Sequence, residues 1–246
     1  MRIISLASGK GGVGKTTIAG ALGVVLAAFG KKTLVMDCNV TTPHLGLYVG
    51  IENTPITLNH VLTKRAHPHE ALYKHTSGFD VIPSSIRLKD LEGIDVSEIY
   101  NVIKKDHKEV FEEYDYVLLD CAPGLGREAI AGIRAADEVI YITTPYLPPV
   151  MDVVKCNEIV KNLSIKPNGV VLNMVQKKRY ELNPKYIANL VKLPIIASVP
   201  MDRAVLHSLN KRLPVTFYKH RSKASKSIAK VAEYIMSQDH DQKNIS

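Results

Sequence analysis

The sequence predicts an α/β fold in which a doubly wound, mostly parallel sheet carries helices on both faces. Short apolar runs alternate with helical patterns along the chain, as expected of a parallel sheet with crossover helices. The first apolar run, from Ile3 to Ala7, leads into a glycine-rich segment and then into a helix of small residues. Strand, glycine-rich loop and helix in this order are typical of a sheet that binds phosphate groups.

These patterns assign elements to most of the chain. The candidate strands are Arg2–Leu6, Thr33–Met36, Phe79–Ile82, Tyr116–Leu119, Glu138–Thr143, Gly169–Leu172 and Ile195–Val199. The candidate helices are Thr16–Phe29, Ser97–Glu113, Arg127–Ala135, Val150–Leu163, Pro184–Val191, Ala204–Leu209 and Ser222–Met236. We therefore expect one domain over residues 1–236 and a polar, disordered tail over residues 237–246.

Composition limits the classes of protein to consider. The chain has 246 residues, of which 46% are hydrophobic, enough for one sizeable α/β core and short for two domains. No apolar run reaches transmembrane length, and the N-terminus enters a strand instead of a secretory signal. The three cysteines are widely spaced and odd in number, which favours a reducing, cytoplasmic location over a disulfide framework.

The glycine-rich segment from Gly9 to Thr17 has the features of a phosphate-binding loop. Gly11, Gly12, Val13 and Gly14 offer backbone N–H groups to an anion at a helix N-terminus, and Thr17 continues that helix. Lys15 can reach the β- and γ-phosphates, and the Thr16 hydroxyl can bind Mg²⁺. The alternative is a glycine turn before an ordinary helix, which the Gly-Lys-Thr order after a strand argues against.

Two aspartates end apolar strands, where ligands bind in open α/β sheets. Asp37 follows the run Thr33–Met36, and Asp120 follows Tyr116–Leu119. Carboxylates at these positions can hold Mg²⁺ directly or through water, although a carboxylate at a strand end can also be a bland surface group. With Thr16, they form our candidate magnesium site.

The run from Lys10 to Thr17 resembles the deviant Walker A loop of the MinD/ParA family of P-loop ATPases. The resemblance extends to the Walker B and switch II pattern, Asp120 followed by Cys-Ala-Pro-Gly, and to the switch I pattern that begins at Asp37. It implies an ATPase that uses ATP and Mg²⁺, with Lys10 crossing a dimer interface to the partner's nucleotide. It also implies that Asn173, at a strand end, hydrogen-bonds adenine, although such an asparagine can simply cap the strand.

The chain departs from the family pattern at Asn39. MinD-type switch I segments read Asp-x-Asp, and the second carboxylate orients the attacking water. The Asn39 amide can position water through its carbonyl oxygen, but it carries no negative charge and cannot accept a proton in the same way. We therefore expect slow hydrolysis, with Lys10, Lys15 and Asn39 as the candidate catalytic residues.

The segment that follows Asp202 carries most of the net charge of +8. Its basic residues are Arg203, Lys211, Arg212, Lys219, Arg221, Lys223, Lys226 and Lys230. Such a block can bind DNA, an anionic membrane surface or an acidic protein, or it can be a solvated face. The apolar face of the final helix, which includes Ile228 and Ile235, is expected to dock on the sheet instead of a membrane.

The leading functional interpretation is a MinD-like ATPase that dimerises on Mg-ATP and acts as a spatial-positioning or partner-recruiting switch, at a membrane, at the nucleoid or in the cytoplasm. The alternatives are a ParA-like partition ATPase that binds DNA non-specifically and a nucleotide-dependent scaffold that hardly hydrolyses ATP. An enzyme that transfers phosphate to a small molecule is a weaker alternative, because the sequence shows no pattern for an acceptor-binding site. Cys38 and Cys121 are expected to be small buried residues, and His67 and His69 to face solvent without metal-ligand spacing.

Overall fold

The computed structural model describes the backbone of residues 1–243 and the side chains of residues 1–239. Over this range the chain forms eight strands. They are β1 (Arg2–Ala7), β2 (Thr33–Cys38), β3 (Tyr73–Lys74), β4 (Asp80–Ile82), β5 (Tyr116–Cys121), β6 (Glu138–Thr143), β7 (Lys166–Val175) and β8 (Ile195–Pro200). The apolar runs form strands because β-branched and other apolar side chains pack on both faces of a covered sheet.

The strands form one sheet in the order β3-β4-β2-β5-β1-β6-β7-β8. Every neighbouring pair is parallel except the short antiparallel edge pair β3–β4. The central strand β1 lies between β5 and β6, so the chain winds outward from it in two directions. This arrangement confirms the predicted doubly wound fold, and it directs the carboxyl ends of the central strands to one edge of the sheet.

Helices cover both faces of the sheet. They are α1 (Lys15–Ala28), α2 (Leu45–Val49), α3 (Leu58–Leu62), α4 (Glu98–Asn101), α5 (Lys108–Glu112), α6 (Arg127–Arg134), α7 (Leu147–Asn162), α8 (Pro184–Val191), α9 (Arg203–Asn210), α10 (Val215–Tyr218) and α11 (Lys223–Lys243). One core layer includes the apolar side chains of α1 and α11, and the other includes those of α3 to α8. No helix among residues 1–243 is long and apolar enough to cross a membrane.

The predicted helix Ser97–Glu113 is wrong as a single element. Helix α4 passes into a π-helical turn, Val102–Asp106, and His107 then leaves the helical conformation at φ −137° and ψ 31° before α5 begins. The buried residues on either side of the break keep a helical spacing, so the hydrophobic pattern alone could not reveal it. The strand β3 and the shortest helices also escaped prediction, because two to five residues contain too little periodicity.

The final helix docks on the sheet, as predicted. Ile228 and Ile235 on its apolar face are buried in the core. The helix continues beyond Met236, where the pattern placed its end, and Asp239 pairs with the Arg2 guanidinium at 2.6 Å. The predicted tail covers residues 237–246, and its last three residues, 244–246, lie outside the described residues.

Candidate nucleotide site

The glycine-rich loop joins the carboxyl end of β1 to the N-terminus of α1. Gly14 precedes the helix with φ 87° and ψ 25°, a left-handed conformation that glycine adopts without strain. A Cβ atom at Gly14 would lie 2.3 Å from Nδ2 of Asn173, so a larger residue would also displace this side chain of β7. The sequence therefore needs glycine at this position for two independent reasons.

Asn173 fastens the loop to β7. Its Nδ2 donates a hydrogen bond to the carbonyl oxygen of Val13 at 2.8 Å, and its side chain is buried. The resemblance assigned Asn173 to the adenine base, and this loop contact adds a structural role that the sequence did not reveal. The adenine role stays a prediction.

Lys15 lies between the glycine-rich loop and the sheet. Its Nζ is 3.3 Å from Oδ1 of Asp120, and both side chains are buried. Asp120 is paired in register with Asp37 on the neighbouring strand β2. The structure thus brings together the lysine and both aspartates that were predicted as site residues.

The two aspartates are almost completely withdrawn from water, with relative exposures of 0% for Asp37 and 1% for Asp120. Asp37 accepts backbone hydrogen bonds from Asn39 at 3.1 Å and from Leu45 at 3.0 Å. Burial, and then the nearby Asp120 carboxylate, raise the pKa of Asp37 to about 8, against the lowering effect of these N–H groups and of Lys15. One lysine therefore faces two buried carboxyl groups, and a divalent cation beside them would favour the ionised form of both.

The switch I segment, residues 37–46, is held in place by Asn39. Its Nδ2 donates to the carbonyl oxygen of Thr42 at 2.6 Å, and its Oδ1 accepts a hydrogen bond from Thr42 Oγ1 at 3.1 Å. Both ends of the amide are therefore engaged within the segment. An aspartate in this position could accept from the hydroxyl but could not donate to the carbonyl.

Glu128, at the start of α6, connects switch I to the segment after Asp120. Its carboxylate accepts hydrogen bonds from the backbone N–H of Thr41 at 2.9 Å and from Thr41 Oγ1 at 3.0 Å. Ser84 supports the same region, since its Oγ donates to the Asp37 carbonyl oxygen at 2.7 Å. Sequence reasoning missed Glu128, for which the one available signal was an acidic residue in the first turn of the helix after Gly124.

Comparisons with known proteins agree with this geometry. The family model described as an AAA domain matches residues 1–166, so the chain is a member of that family. An uncharacterised ATP-binding protein of Methanocaldococcus jannaschii is 34% identical over 95% of this chain and 87% of its own length. The crystal structure of the cell division ATPase MinD of Pyrococcus furiosus is similar at a TM-score of 0.92 and 29% identity, covering 96% of this chain and 99% of that chain. The chain belongs to the MinD/ParA family of P-loop ATPases.

A second solved structure indicates the ligands of this family. The septum site-determining protein MinD of Pyrococcus horikoshii, complexed with Mg-ADP, is similar at a TM-score of 0.90 and 29% identity, covering 95% of each chain. The cofactors of this MinD/ParA family ATPase are ATP and Mg²⁺. The predicted magnesium ligands fit the ion, because the Thr16 hydroxyl and the carboxylates of Asp37 and Asp120 are the hard oxygen donors that Mg²⁺ prefers. When bound with ATP, Mg²⁺ neutralises phosphate charge.

The two lysines of the ATPase loop have opposite environments. Lys15 is buried, whereas Lys10 is exposed, together with Gly11 and Gly12. Lys15 therefore faces the interior of its own site, and Lys10 is accessible from outside the molecule. The loop start also packs closely on α7, since a Cβ atom at Gly9 would lie 2.2 Å from Cβ of Asp152.

A small cavity of about 90 Å³ lies beside the loop. Its walls are mostly apolar and come from the ends of β7 and β8, from α9 and from the start of α1. Asn173 and Asp202 supply polar groups, while Met174, Val199 and Leu206 supply apolar surface. Pro200 and Met201, which follow Val199 at the end of β8, complete this wall of the cavity.

Cys38 and Cys121 are paired in register on β2 and β5, directly after the two aspartates. Both are free and fully buried, as expected from the sequence. Burial raises the pKa of each thiol well above its ordinary value, so both stay protonated at neutral pH. They pack as small apolar residues beneath the site.

Proposed function

We propose that this chain is an ATP-driven switch: two copies dimerise on binding Mg-ATP, recruit a partner or surface, and separate after slow hydrolysis. The contrast between buried Lys15 and exposed Lys10 carries the proposal. The buried lysine is proposed to hold the phosphates within its own chain, and the exposed lysine is proposed to contact the nucleotide of a second copy. A MinD-like positioning or recruiting role is favoured because the chain is similar to MinD proteins in both sequence and structure over nearly its whole length.

The oligomeric state in different nucleotides tests this switch. We expect a dimer with Mg²⁺ and a non-hydrolysable ATP analogue, and a monomer with Mg-ADP, because only the triphosphate presents a γ-phosphate to the partner's Lys10. Light scattering coupled to size exclusion measures the mass in both states. The same mass in both nucleotides contradicts the switch.

Asn39 is proposed to limit the rate of hydrolysis. We expect Asn39→Asp to raise steady-state turnover, because a carboxylate can both orient the attacking water and accept its proton, whereas an amide can only position the water. A tenfold gain corresponds to about 1.4 kcal/mol of barrier. A phosphate-release assay under saturating ATP measures the change.

The Asn39–Thr42 contacts require a matched control, because Asn39→Asp also removes the donor to the Thr42 carbonyl oxygen. Thr42→Val removes only the hydroxyl contact to Asn39 Oδ1 and loosens the segment without adding charge. Faster turnover in Asn39→Asp but not in Thr42→Val supports the water-positioning role. Unchanged turnover in Asn39→Asp, with ATP binding and dimerisation intact, rejects it and favours the scaffold interpretation.

A second candidate function is binding to a polyanionic surface, as in the ParA-like interpretation. The eight basic residues of the predicted block, residues 203–230, are all exposed. Arg212 forms an ion pair with Glu52, so its charge is partly offset. The exposed side chains of Leu206, Phe217 and Tyr218 lie in the same stretch of chain and add apolar surface. Basic and apolar groups together suit either DNA or an anionic lipid headgroup layer.

We expect replacement of Lys211, Lys219, Arg221 and Lys223 by alanine to weaken polyanion binding while leaving ATP binding unchanged. Wild-type affinity should fall steeply with salt, since bound counterions are released, and should rise with ATP because a dimer presents two such surfaces. Co-sedimentation with anionic liposomes and gel shifts with DNA, each with the ATP analogue and with ADP, measure these effects.

The control for this experiment removes the same charge elsewhere. Lys64, Arg65, Lys74 and Lys89 are also exposed, and their replacement by alanine should leave polyanion binding nearly unchanged. Equal losses in the two variants would show that only net charge matters. A wild-type dimer that ignores both DNA and liposomes at low salt would show that the block is a solvated face and that the partner is a protein.

A further inference from the structure

A cluster of histidine and glutamate side chains lies on elements that the nucleotide site does not use. The metal-ligating atoms of His67, His107 and Glu109 all lie within 4.8 Å of one another. The rings of His67 and His107 meet edge to face with centroids 4.5 Å apart, and His69 stacks on His67 at 5.1 Å. We propose that His67, His107 and Glu109 bind a divalent transition metal ion of the Zn²⁺ class.

The chemistry of the side chains selects this class of ion. Two imidazoles and one carboxylate match the nitrogen and oxygen ligands of Zn²⁺, Co²⁺ and Ni²⁺, whereas Mg²⁺ and Ca²⁺ prefer oxygen alone. Three protein ligands leave a fourth position of a tetrahedral ion for water or for His69, which is adjacent. His67 and His107 are half-buried and Glu109 is exposed, so the ion could enter directly from solvent.

The backbone holds the first histidine in position. His67 caps the 3₁₀ helix Pro68–Ala71, and its N–H donates to Oε1 of Glu70 at 2.7 Å. Pro68 fixes the backbone that follows. Nδ1 of His67 accepts a hydrogen bond from the N–H of His69 at 3.3 Å, near the long limit for such bonds, so a metal ion that binds this ring displaces only a weak contact.

The second segment is shaped by the π-helical turn Val102–Asp106. His107 follows this turn as the N-cap residue of α5, and Glu109 lies in the first turn of that helix. Single π-helical turns are rare in proteins and are frequent at functional sites, because the extra residue redirects the side chains that follow. Lys108, between the two ligands, is drawn away into an ion pair with Glu112 at 2.7 Å.

The proposed ion would join two segments that are distant in sequence. One precedes the edge strand β3, and the other leads into β5 near the centre of the sheet. Because the ion binds the folded arrangement more strongly than separated segments, it would stabilise the contact between them. This role is independent of ATP, so its test does not depend on the proposed switch.

Zinc titration of chelator-treated, nucleotide-free protein tests the proposal. Excess Mg²⁺ is kept present to occupy the oxygen ligands of the nucleotide site. We expect the wild type to bind Zn²⁺ by calorimetry and to unfold at a higher temperature with Zn²⁺ than without it. His107→Ala should weaken Zn²⁺ binding by at least about tenfold and abolish the thermal shift. Loss of a residue that only hydrogen-bonds to a metal ligand already costs about tenfold in affinity, and loss of the ligand itself should cost more.

Further variants separate ligand loss from damage to the fold. Glu109→Gln keeps the size of an exposed side chain and should also weaken Zn²⁺ binding, whereas His207→Ala removes an exposed histidine elsewhere and should not. When Co²⁺ replaces Zn²⁺, the wild type should show the visible absorption of a four-coordinate cobalt site. The Glu109→Gln variant should lack this absorption. Wild-type protein that binds no Zn²⁺, or equal Zn²⁺ affinity in the wild type and Glu109→Gln, overturns the proposal.

Discussion

Replacement of Lys15 by alanine should severely weaken Mg-ATP binding. Lys15 is the cation that faces both Asp120 and the predicted position of the β- and γ-phosphates, and it is buried. Truncating one partner of such a charge pair costs about 2–5 kcal/mol, which is roughly 30- to 4,000-fold in Kd. Calorimetric titration of the nucleotide-free variant with Mg-ATP measures the loss.

The same substitution should also lower the free energy of unfolding without nucleotide. Lys15→Ala leaves Asp37 and Asp120 buried side by side without their lysine, and it removes one of the groups that lower the Asp37 pKa. Circular dichroism at increasing temperature shows whether the variant is folded where binding is measured. Lys10→Ala is the matched control, since it removes a lysine from the same loop without touching this pair. Undiminished ATP binding by folded Lys15→Ala protein would refute the assignment of the loop.

Much of the fold was predictable because its signals are local. The buried parallel strands read as apolar runs, and the turn before α1 needs glycine, so β1, the loop and α1 follow from adjacent residues. The aspartates were predictable because parallel strands end at one edge, which places Asp37 beside Asp120 whatever the details of packing.

The remainder depends on contacts between segments that are distant in sequence. Glu128 holds Thr41 across 87 residues, and no pattern near either residue indicates the pairing. The cluster of His67 and His107 has the same origin, because each histidine looks like an isolated polar residue until the π-helical turn and the 3₁₀ helix bring them together. The positions of short elements and of breaks within helices depend on tertiary packing, which hydrophobic periodicity does not report.

Replacement of Lys10 by alanine should leave ATP binding intact and prevent the ATP-dependent dimer. The lysine is exposed at the outer side of the loop, so its loss removes no buried contact within its own chain. Its proposed partner is the nucleotide of the second copy, where a desolvated charge contact would be worth about 2 kcal/mol or more at each of two symmetric sites. A loss of this size should raise the dissociation constant of the dimer above the protein concentrations used in light scattering.

Light scattering with the ATP analogue compares this variant with Lys89→Ala, which removes an exposed lysine far from the loop in sequence. Calorimetry on the same samples shows that each variant still binds ATP. A monomeric Lys10→Ala beside a dimeric Lys89→Ala assigns the effect to the loop lysine instead of to net charge. If Lys10→Ala still forms a dimer that depends on the triphosphate, the second lysine has no part in the interface. The ATP-driven switch must then rest on other contacts, of which the Glu128–Thr41 hydrogen bonds are the first to test, because they join switch I to the start of α6 after Asp120.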